Sequence, residues 1–266
     1  MPDPTPPADP VTRALGDTLD GSRPRRPEDA ADPGIPIAAT VVLVRDGAAG
    51  PEVLLLERPD RGSFAGAWVF PGGKVDAADR RAEADEGADT GDGRQVRADA
   101  AVEGAAAVRA AVRETQEETG LVVVADDLVP VSVWDPPPGI ALRIRTWFFA
   151  VAAPPGVLTL SPAEAVAAQW LRPSDALARH ARGALTLYPP TWVTLHDLQH
   201  QPDAGTLIAA LRIGGPTRFE TVAQRTASGP VLLWQGDADY EDAAASDPRG
   251  RHRLEIGALP WRFTRT

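Results

Sequence analysis

Runs of consecutive apolar residues, separated by short polar turns, dominate the first half of the chain. IAATVVLV begins at Ile37, a turn follows at residues 46–50, and EVLLLER begins at Glu52. Continuous apolar runs of this length, rich in Val, Ile and Leu, are typical of strands that are buried on both faces. The two runs therefore predict a β-hairpin.

Similar patterns predict the remaining elements. A short WVF strand is expected to lead into the turn Pro71-Gly72-Gly73, because glycines allow backbone conformations that other residues avoid. Strands are predicted at 121–124 (LVVV), 128–134 (LVPVSVW), 143–151 (RIRTWFFAV), 166–171 (VAAQWL), 230–235 and 252–257, and helices at 174–182, 190–199 and 207–213.

Three segments stand outside this pattern. Residues 1–35 are rich in Pro, Asp and Arg, and this composition predicts a disordered N-terminal tail. Residues 77–104 are acidic and polar without apolar periodicity, which predicts an exposed insertion. The expected organisation is thus one domain at 36–200, which contains the insertion, and a C-terminal extension at 201–266.

A helix that carries several carboxylates is predicted over residues 105–119, with Gly120 as its C-terminal cap. At 100° per residue its buried positions form one stripe, and Glu114, Glu117 and Glu118 form a second stripe about 120° away. The carboxylates therefore stand beside the buried face, where they can line a pocket.

Three glutamates at this spacing repel one another unless a positive charge lies between them. Arg113 can pair with Glu117 four positions later, yet one arginine cannot neutralise three carboxylates. Hard divalent cations such as Mg²⁺ or Mn²⁺ prefer oxygen ligands and can do so. A solvated acidic helix face is the alternative interpretation of the same pattern.

Charge and composition narrow the classes of partner. The formal net charge of −10 repels phosphate backbones, so nucleic acid is not expected as a partner. No run of about 18 apolar residues occurs, so no membrane partner is expected either. The chain has no cysteine, which excludes disulfides and thiolate metal sites and agrees with a cytoplasmic location.

Two separated stretches carry a resemblance to a known family. PGGKVDAAD at 71–79 and RETQEETGL at 113–121 resemble the two halves of the Nudix box, G-x5-E-x7-R-E-U-x-E-E-x-G-U with U apolar, the signature of the Nudix hydrolases. Asp79 replaces the usual glutamate and Thr115 an aliphatic residue. Gly73 lies 40 residues before Arg113 where the pattern has 14, so 26 residues are inserted inside the box. The remaining matches are Glu114, Glu117, Glu118, Gly120 and Leu121.

The resemblance implies an α+β Nudix fold, an α/β/α sandwich with a mixed β-sheet, and hydrolysis of a nucleoside diphosphate linked to another moiety. It implies that Glu114, Glu117, Glu118 and the Gly73 carbonyl bind Mg²⁺ or Mn²⁺. Glu114 and Glu118 are also expected in catalysis, and Arg113 and Gly120 in positioning the site. Dimers are common in this family, so a homodimer is left open, although no feature of the sequence requires one.

Further residues follow from the same resemblance. Glu164 stands where many Nudix enzymes carry a later catalytic acid; an ordinary surface position is the alternative. The split box, with AGAWVFPGGKVDAAD and LYPPTWVTLHDL, is similar to the branch that includes the peroxisomal coenzyme A diphosphatases. That branch implies coenzyme A or acyl-coenzyme A as the substrate, with Arg58 and Arg61 as phosphate contacts; plain surface positions are the alternative for both arginines. ADP-ribose or other nucleotides remain open as substrates, as does a Nudix-fold module that senses a nucleotide without turnover.

Overall fold

The computed structural model describes residues 10–30, 32, 34–62, 64–81, 93–240 and 247–266. Its main sheet has eight strands in the order β3-β2-β1-β6-β5-β8, with β4 paired to β1 and β7 paired to β2. These strands are β1 (Ile37–Gly47), β2 (Gly50–Glu57), β3 (Trp68–Val69), β4 (Gly72–Lys74), β5 (Val129–Asp135), β6 (Arg145–Ala152), β7 (Ala167–Leu171) and β8 (Thr217–Glu220).

The helices are α1 (Pro10–Leu19), α2 (Pro27–Ala30), α3 (Ala77–Arg81), α4 (Gly93–Thr119), α5 (Pro173–Ala181), α6 (Pro189–Leu198) and α7 (Ala204–Gly214). The expected hairpin is present, because β1 and β2 pair antiparallel around the turn at Gly47 and Gly50. The sheet is mixed, since β1 runs parallel to β6 and β5 runs parallel to β8.

The two faces of the sheet bury two apolar clusters. On one face, alanines of α4 pack against β1 and β6, with Ala107, Ala110 and Ala111 fully buried. On the other face, α5, α6 and α7 cover the sheet. The prediction of a mixed sheet between helices is therefore confirmed, and the central pairing of β1 with β4 fixes where α4 meets the turn that follows β3.

A second, antiparallel sheet has the order β12-β11-β10-β9, with β9 (Val222–Thr226), β10 (Gly229–Leu233), β11 (His252–Glu255) and β12 (Arg262–Arg265). The expected strands near 230 and 252 are confirmed, whereas β8, β9 and β12 were not expected. Trp234, which follows β10, is fully buried in the same apolar cluster as Trp134 of β5. The C-terminal segment thus shares its core with the main sheet.

Residues 1–35 were predicted to be a disordered tail, but the part of this segment that the structure describes is folded. This part contains α1 and α2; Leu19 lies in the main apolar cluster, and Arg225 forms an ion pair with Asp20. Tertiary contacts of this kind stabilise a short helix whose own composition does not. Residues 1–9 lie outside the described residues.

Two further expectations are corrected. α4 begins at Gly93 rather than near residue 105, and α3 lies within the segment expected to be an exposed insertion. Alanine-rich sequence forms helix readily even without an apolar stripe. Residues 121–124 form no strand, and a 3₁₀ turn at Ala125–Asp127 follows them. Residues 82–92 lie outside the described residues.

Candidate functional site

The carboxylates of α4 meet the turn between β3 and β4. The Gly72 N–H donates a hydrogen bond of 2.8 Å to Oε2 of Glu118, whose side chain is buried. One turn earlier on the same helix, the Glu114 carboxylate lies directly over Gly73. The first half of the split motif therefore lies against the second half, despite the residues inserted between them.

Both glycines are required by this close approach. Gly72 has φ of 153°, and a β-carbon there would overlap the backbone of Ala39 and Thr40 on β1. A β-carbon at Gly73 would overlap the Glu114 carboxylate. A larger residue at Gly72 would push the turn away from β1, and a larger residue at Gly73 would push the Glu114 carboxylate away from the turn.

Arg113 connects the glutamates to the rest of the motif. Its Nη1 donates to Oε1 of Glu114 at 2.8 Å and to Oε2 of Glu117 at 3.0 Å. Its Nη2 donates to the Lys74 carbonyl at 3.0 Å and to Oδ2 of Asp79 at 2.9 Å. Because the planar guanidinium makes these four hydrogen bonds, it fixes the orientation of the side chains around it. Arg113 thus holds Glu114, Glu117 and Asp79 in a fixed relation to one another.

Asp79 was not assigned to the site, because the insertion left open whether it reaches the helix. It is 6% exposed, and its carboxylate accepts hydrogen bonds from Arg113 and from the Asp76 N–H. Burial raises the pKa of Asp79, but these hydrogen bonds outweigh burial and hold its pKa below the usual value. The only feature of the sequence that pointed to Asp79 as a site residue was its position six residues after Gly73, where the motif has a glutamate.

The electrostatics of the buried carboxylates are unusual. Burial, together with the charges of Glu114 and Glu164, raises the pKa of Glu118 to about 7, although the Gly72 hydrogen bond opposes this shift. Burial also raises the pKa of Glu114, while the hydrogen bond from Arg113 lowers it. Desolvated carboxylates with raised pKa values, one of which raises the pKa of the other, form a place where added positive charge is strongly favoured.

Two residues that the sequence singled out act on Glu118 through their charges. The charge of Glu164 raises the pKa of Glu118, and the charge of Arg58 lowers it. Glu164 belongs to a loop that packs on the end of α4, where the Ser161 N–H donates to the Glu118 carbonyl at 3.2 Å. The Nε of Arg58 is buried without a hydrogen-bond partner. Arg58 therefore offers a donor that no described protein group uses.

The other expected site residues are placed differently. The Glu117 side chain is 58% exposed and is held by Arg113. Arg61 is exposed in the turn after β2, and no side-chain contact joins it to a described carboxylate. Gly120 has φ of 73° and ends α4, with its N–H donating to the Gln116 carbonyl at 2.9 Å. A residue with a side chain would be strained at that position.

The donor types fit a hard divalent cation, since the site combines buried carboxylates, an exposed carboxylate and the backbone of a glycine turn. Among the described residues, no three His, Cys, Asp or Glu side chains form a ready-made metal-binding cluster. Glu117 and Glu114 are instead joined to Arg113. The chemistry of the donors and the mutual repulsion of Glu114 and Glu118 both favour a cation here.

Comparison with known proteins gives the family. The family model of the NUDIX domain matches residues 34–191, which is more than half of the chain. The chain belongs to the Nudix family. The match includes both halves of the split motif, so the Nudix helix is the second half of α4, and α3 begins within the first half of the motif, at Ala77. Members of this family are hydrolases that act on diphosphate bonds, and this Nudix protein is such a hydrolase.

Solved Nudix structures align with the described fold. The crystal structure of a NUDIX hydrolase from Alicyclobacillus acidocaldarius has 25% sequence identity and a TM-score of 0.54, covering 66% of this chain and 96% of that chain. An Ap4A hydrolase from C. elegans aligns with 20% identity and a TM-score of 0.38, over 68% of this chain and 99% of that chain. Among curated proteins, no sequence matches this chain. Within the described part of this Nudix protein, no helix has the length and apolar character needed to span a bilayer.

Proposed function

We propose that the protein hydrolyses the diphosphate bond of a nucleoside diphosphate linked to another moiety, with Mg²⁺ or Mn²⁺ as its cofactor. One observation carries this proposal: the buried Glu118 and its neighbour Glu114 lie against Gly72 and Gly73, in the arrangement that the two halves of the motif require. A solvated acidic face would leave such carboxylates in water, whereas Glu118 is 4% exposed.

The Gly73 carbonyl, Glu114, Glu117 and Glu118 are the proposed ligands. When bound there, a divalent cation supplies charge neutralisation for the diphosphate and a lower pKa for water. Arg113 holds Glu114 and Glu117 in orientation through the two hydrogen bonds of its Nη1. The Nε donor of Arg58 has no protein partner among the described residues and is of the kind that binds a phosphate oxygen, which supports its proposed role in substrate binding.

Proton transfer is assigned to the carboxylates. A general base works best when its pKa lies near the working pH. Glu164 is exposed and its charge acts on Glu118, and it is proposed to accept the proton of the attacking water, with Glu118 as the alternative base. Arg61, on an exposed turn, is proposed to contact the more distant part of the substrate, and its side chain has no competing protein partner among the described residues.

Coenzyme A or an acyl-coenzyme A is the proposed substrate within this class. The support is the split motif and the LYPPTWVTLHDL stretch, which runs through Tyr188 and α6. ADP-ribose and other nucleotides carry the same diphosphate and are the competing substrates. A sensor without turnover is a weaker alternative, because binding alone does not require the full set of glutamate ligands, Glu114, Glu117 and Glu118.

The test measures cleavage of the diphosphate bond by the full chain in the presence of Mg²⁺ or Mn²⁺. The compounds offered as substrates are coenzyme A, acetyl-coenzyme A, ADP-ribose and a dinucleoside polyphosphate. Mass spectrometry of the products identifies the cleaved bond. Glu118→Gln should remove turnover, whereas the exposed carboxylate control Asp126→Asn should retain it. Binding of these compounds without cleavage by the wild type would favour the sensor. An active Glu118→Gln protein would refute the assigned site.

A further inference from the structure

The loop that joins β2 to β3 leads into the turn that binds the carboxylate site. Arg58, its first residue, donates its backbone N–H to the Ala67 carbonyl at 2.9 Å, which closes the base of the loop. Beyond the loop, β3 leads directly to Gly72, which binds Glu118. The loop that carries Phe64 is therefore anchored next to the place where the proposed function puts the diphosphate.

Phe64 is the large apolar side chain of this loop, and it is 39% exposed. It has φ of 62°, the left-handed region that is uncommon for residues other than glycine. Gly62 and Gly66, on either side of it, have φ of 73° and 64°. The loop thus has three left-handed positions among its described residues, and phenylalanine stands at one of them although glycine would fit without strain.

The Phe64 ring is held in one orientation by its contact with Tyr188. It packs edge-on against the Tyr188 ring, with centroids 4.7 Å apart and an interplanar angle of 89°. Tyr188 is partly buried and precedes α6, and the β-bridge between Ala67 and Thr186 fixes the two segments together. An aromatic residue that is exposed, strained and supported by a second ring is suited to contact a ligand through its free face.

We propose that Phe64 is a specificity-determining residue on which the nucleobase of the substrate stacks. This inference rests on the proposed function, because it takes the diphosphate to lie at Glu114 and Glu118. A planar base attached through ribose to that diphosphate is the part of the substrate that an aromatic face recognises. Phosphate is excluded from this role, since the ring offers it no hydrogen-bond donor.

A protein partner fits this surface less well. The described neighbours of Phe64 in the loop are polar or small: Asp60, Arg61, Gly62, Ala65 and Gly66. A stable protein interface buries about 800 Å² on each side, whereas a single exposed ring among such residues offers a small fraction of that. The base, which covers about the area of one ring, matches the exposed apolar surface in size.

Binding of AMP and ribose 5-phosphate to the full chain, measured by calorimetry, tests this stacking without requiring turnover. The two probes share the phosphate and ribose and differ only in the base. The wild type should bind AMP about tenfold more tightly or better, as expected for a base stacked on an aromatic side chain. Phe64→Leu should bind both probes equally, and Phe64→Trp should retain the preference. Equal binding of both probes by the wild type, or an unchanged preference in Phe64→Leu, would overturn the proposal.

Two controls separate stacking from folding. Phe64→Gly removes the ring and the backbone strain together, so it should keep or raise the melting temperature while losing the preference for AMP. Tyr188→Phe keeps the supporting ring and should behave like the wild type. If Phe64→Gly retained the AMP preference, the ring would have no role in recognition.

Steady-state kinetics connect the subsite to the reaction. With whichever nucleoside diphosphate compound is cleaved, Phe64→Leu should raise KM about tenfold and change kcat little, because the ring contacts the base rather than the reacting phosphate. A loss confined to kcat would contradict the proposed role. If AMP preference depends on Phe64 but no diphosphate compound is cleaved, the subsite stands and the proposed hydrolysis fails.

Discussion

Arg113 on α4 donates a hydrogen bond of 2.9 Å to Oδ2 of Asp79 on α3, although 34 positions separate the two residues in the sequence. The pair spans the inserted segment and restores the contact between the two halves of the motif. Hydrogen bonding to Asp79 is also the main reason why the pKa of Arg113 is raised.

Replacement of Asp79 by Asn should therefore weaken the site. Arg113 would keep a neutral partner in place of a buried carboxylate, and we expect a loss of roughly 1–3 kcal/mol in the free energy of unfolding. Turnover should fall about tenfold, because Arg113, which orients Glu114 and Glu117, would itself be held less firmly. Chemical denaturation and initial rates measure the two effects. The control Asp76→Asn, at an exposed carboxylate 3.7 Å from Arg113, should change little.

Gly73→Ala should disable the site without unfolding the chain. Its methyl group would overlap the Glu114 carboxylate and force that side chain away from β4. We expect turnover to fall by about 10²-fold or more, as for other misplaced catalytic groups. Gly214→Ala is the matched control, because a β-carbon there has open space within 4 Å. Circular dichroism should show the same fold for both variants, and full activity in Gly73→Ala would contradict the geometry.

The stability of the metal-free protein should depend on the titration of Glu118. Its folded pKa is about 7 against an ordinary value of 4.5. Below pH 4.5 the carboxyl is protonated in both states, but as pH rises to 7 only the unfolded state releases its proton. The free energy of unfolding should therefore fall by roughly 3 kcal/mol over this window. Denaturation at a series of pH values in EDTA measures this.

Glu118→Gln supplies the comparison for that experiment. Since Gln does not ionise, the variant should lack the decrease and should exceed the wild type in stability at pH 8 without metal. Added Mg²⁺ should then stabilise the wild type more than the variant. Identical pH profiles for the two proteins would show that Glu118 has an ordinary pKa.

Glu164→Gln tests the assignment of the base. If Glu164 takes the proton from water, kcat should fall by about 10²-fold or more while KM changes little. The substitution also removes a charge that raises the pKa of Glu118, so the acidic limb of the rate profile should move to lower pH. Asp126→Asn, another exposed carboxylate, should leave both quantities unchanged. An unaltered kcat would remove Glu164 from the catalytic residues.

Trp234→Ala tests whether the C-terminal sheet and the main sheet unfold together. Trp234 is fully buried, packs edge-on against Trp134 with centroids 5.7 Å apart, and donates to the Thr221 hydroxyl. Its truncation should reduce the free energy of unfolding by about 3–5 kcal/mol in one transition. Ile213→Ala, at an 88% exposed side chain, should change it by less than about 0.5 kcal/mol. Two separate transitions would indicate independent units.

The strands of the main sheet could be predicted because their apolar runs are long and buried on both faces, as in β1 and β2. β8 and β12 could not, because each has four residues and mostly polar side chains, and pairing with a distant strand determines their structure. Residues 121–124 alternate in burial like a strand, with Leu121 and Val123 inside, but the chain turns into a 3₁₀ helix instead of meeting a partner.

In the site, too, the features set by the local sequence could be predicted, and those set by contacts between distant segments could not. The spacing of Glu114, Glu117 and Glu118 on one helix follows from the sequence, and so does the cap at Gly120. The spacing does not reveal that Glu118 is buried while Glu117 faces solvent, since this depends on where the β3–β4 turn meets the helix. The position of Asp79 depends on how α3 packs against α4, which the sequence of the insertion does not determine.

The length of α4 has a mechanical consequence. Within the first half of the helix, Glu103 accepts hydrogen bonds from Trp147 Nε1 at 2.7 Å and from Arg145 Nη1 at 2.9 Å, while Gly72 holds the C-terminal end through Glu118. A rod that is attached at two separated points neither slides nor tilts without breaking one attachment. Substrates of different shape must then be accommodated by movement of the surrounding loops. On heating, activity should be lost only at the temperature at which the whole domain unfolds.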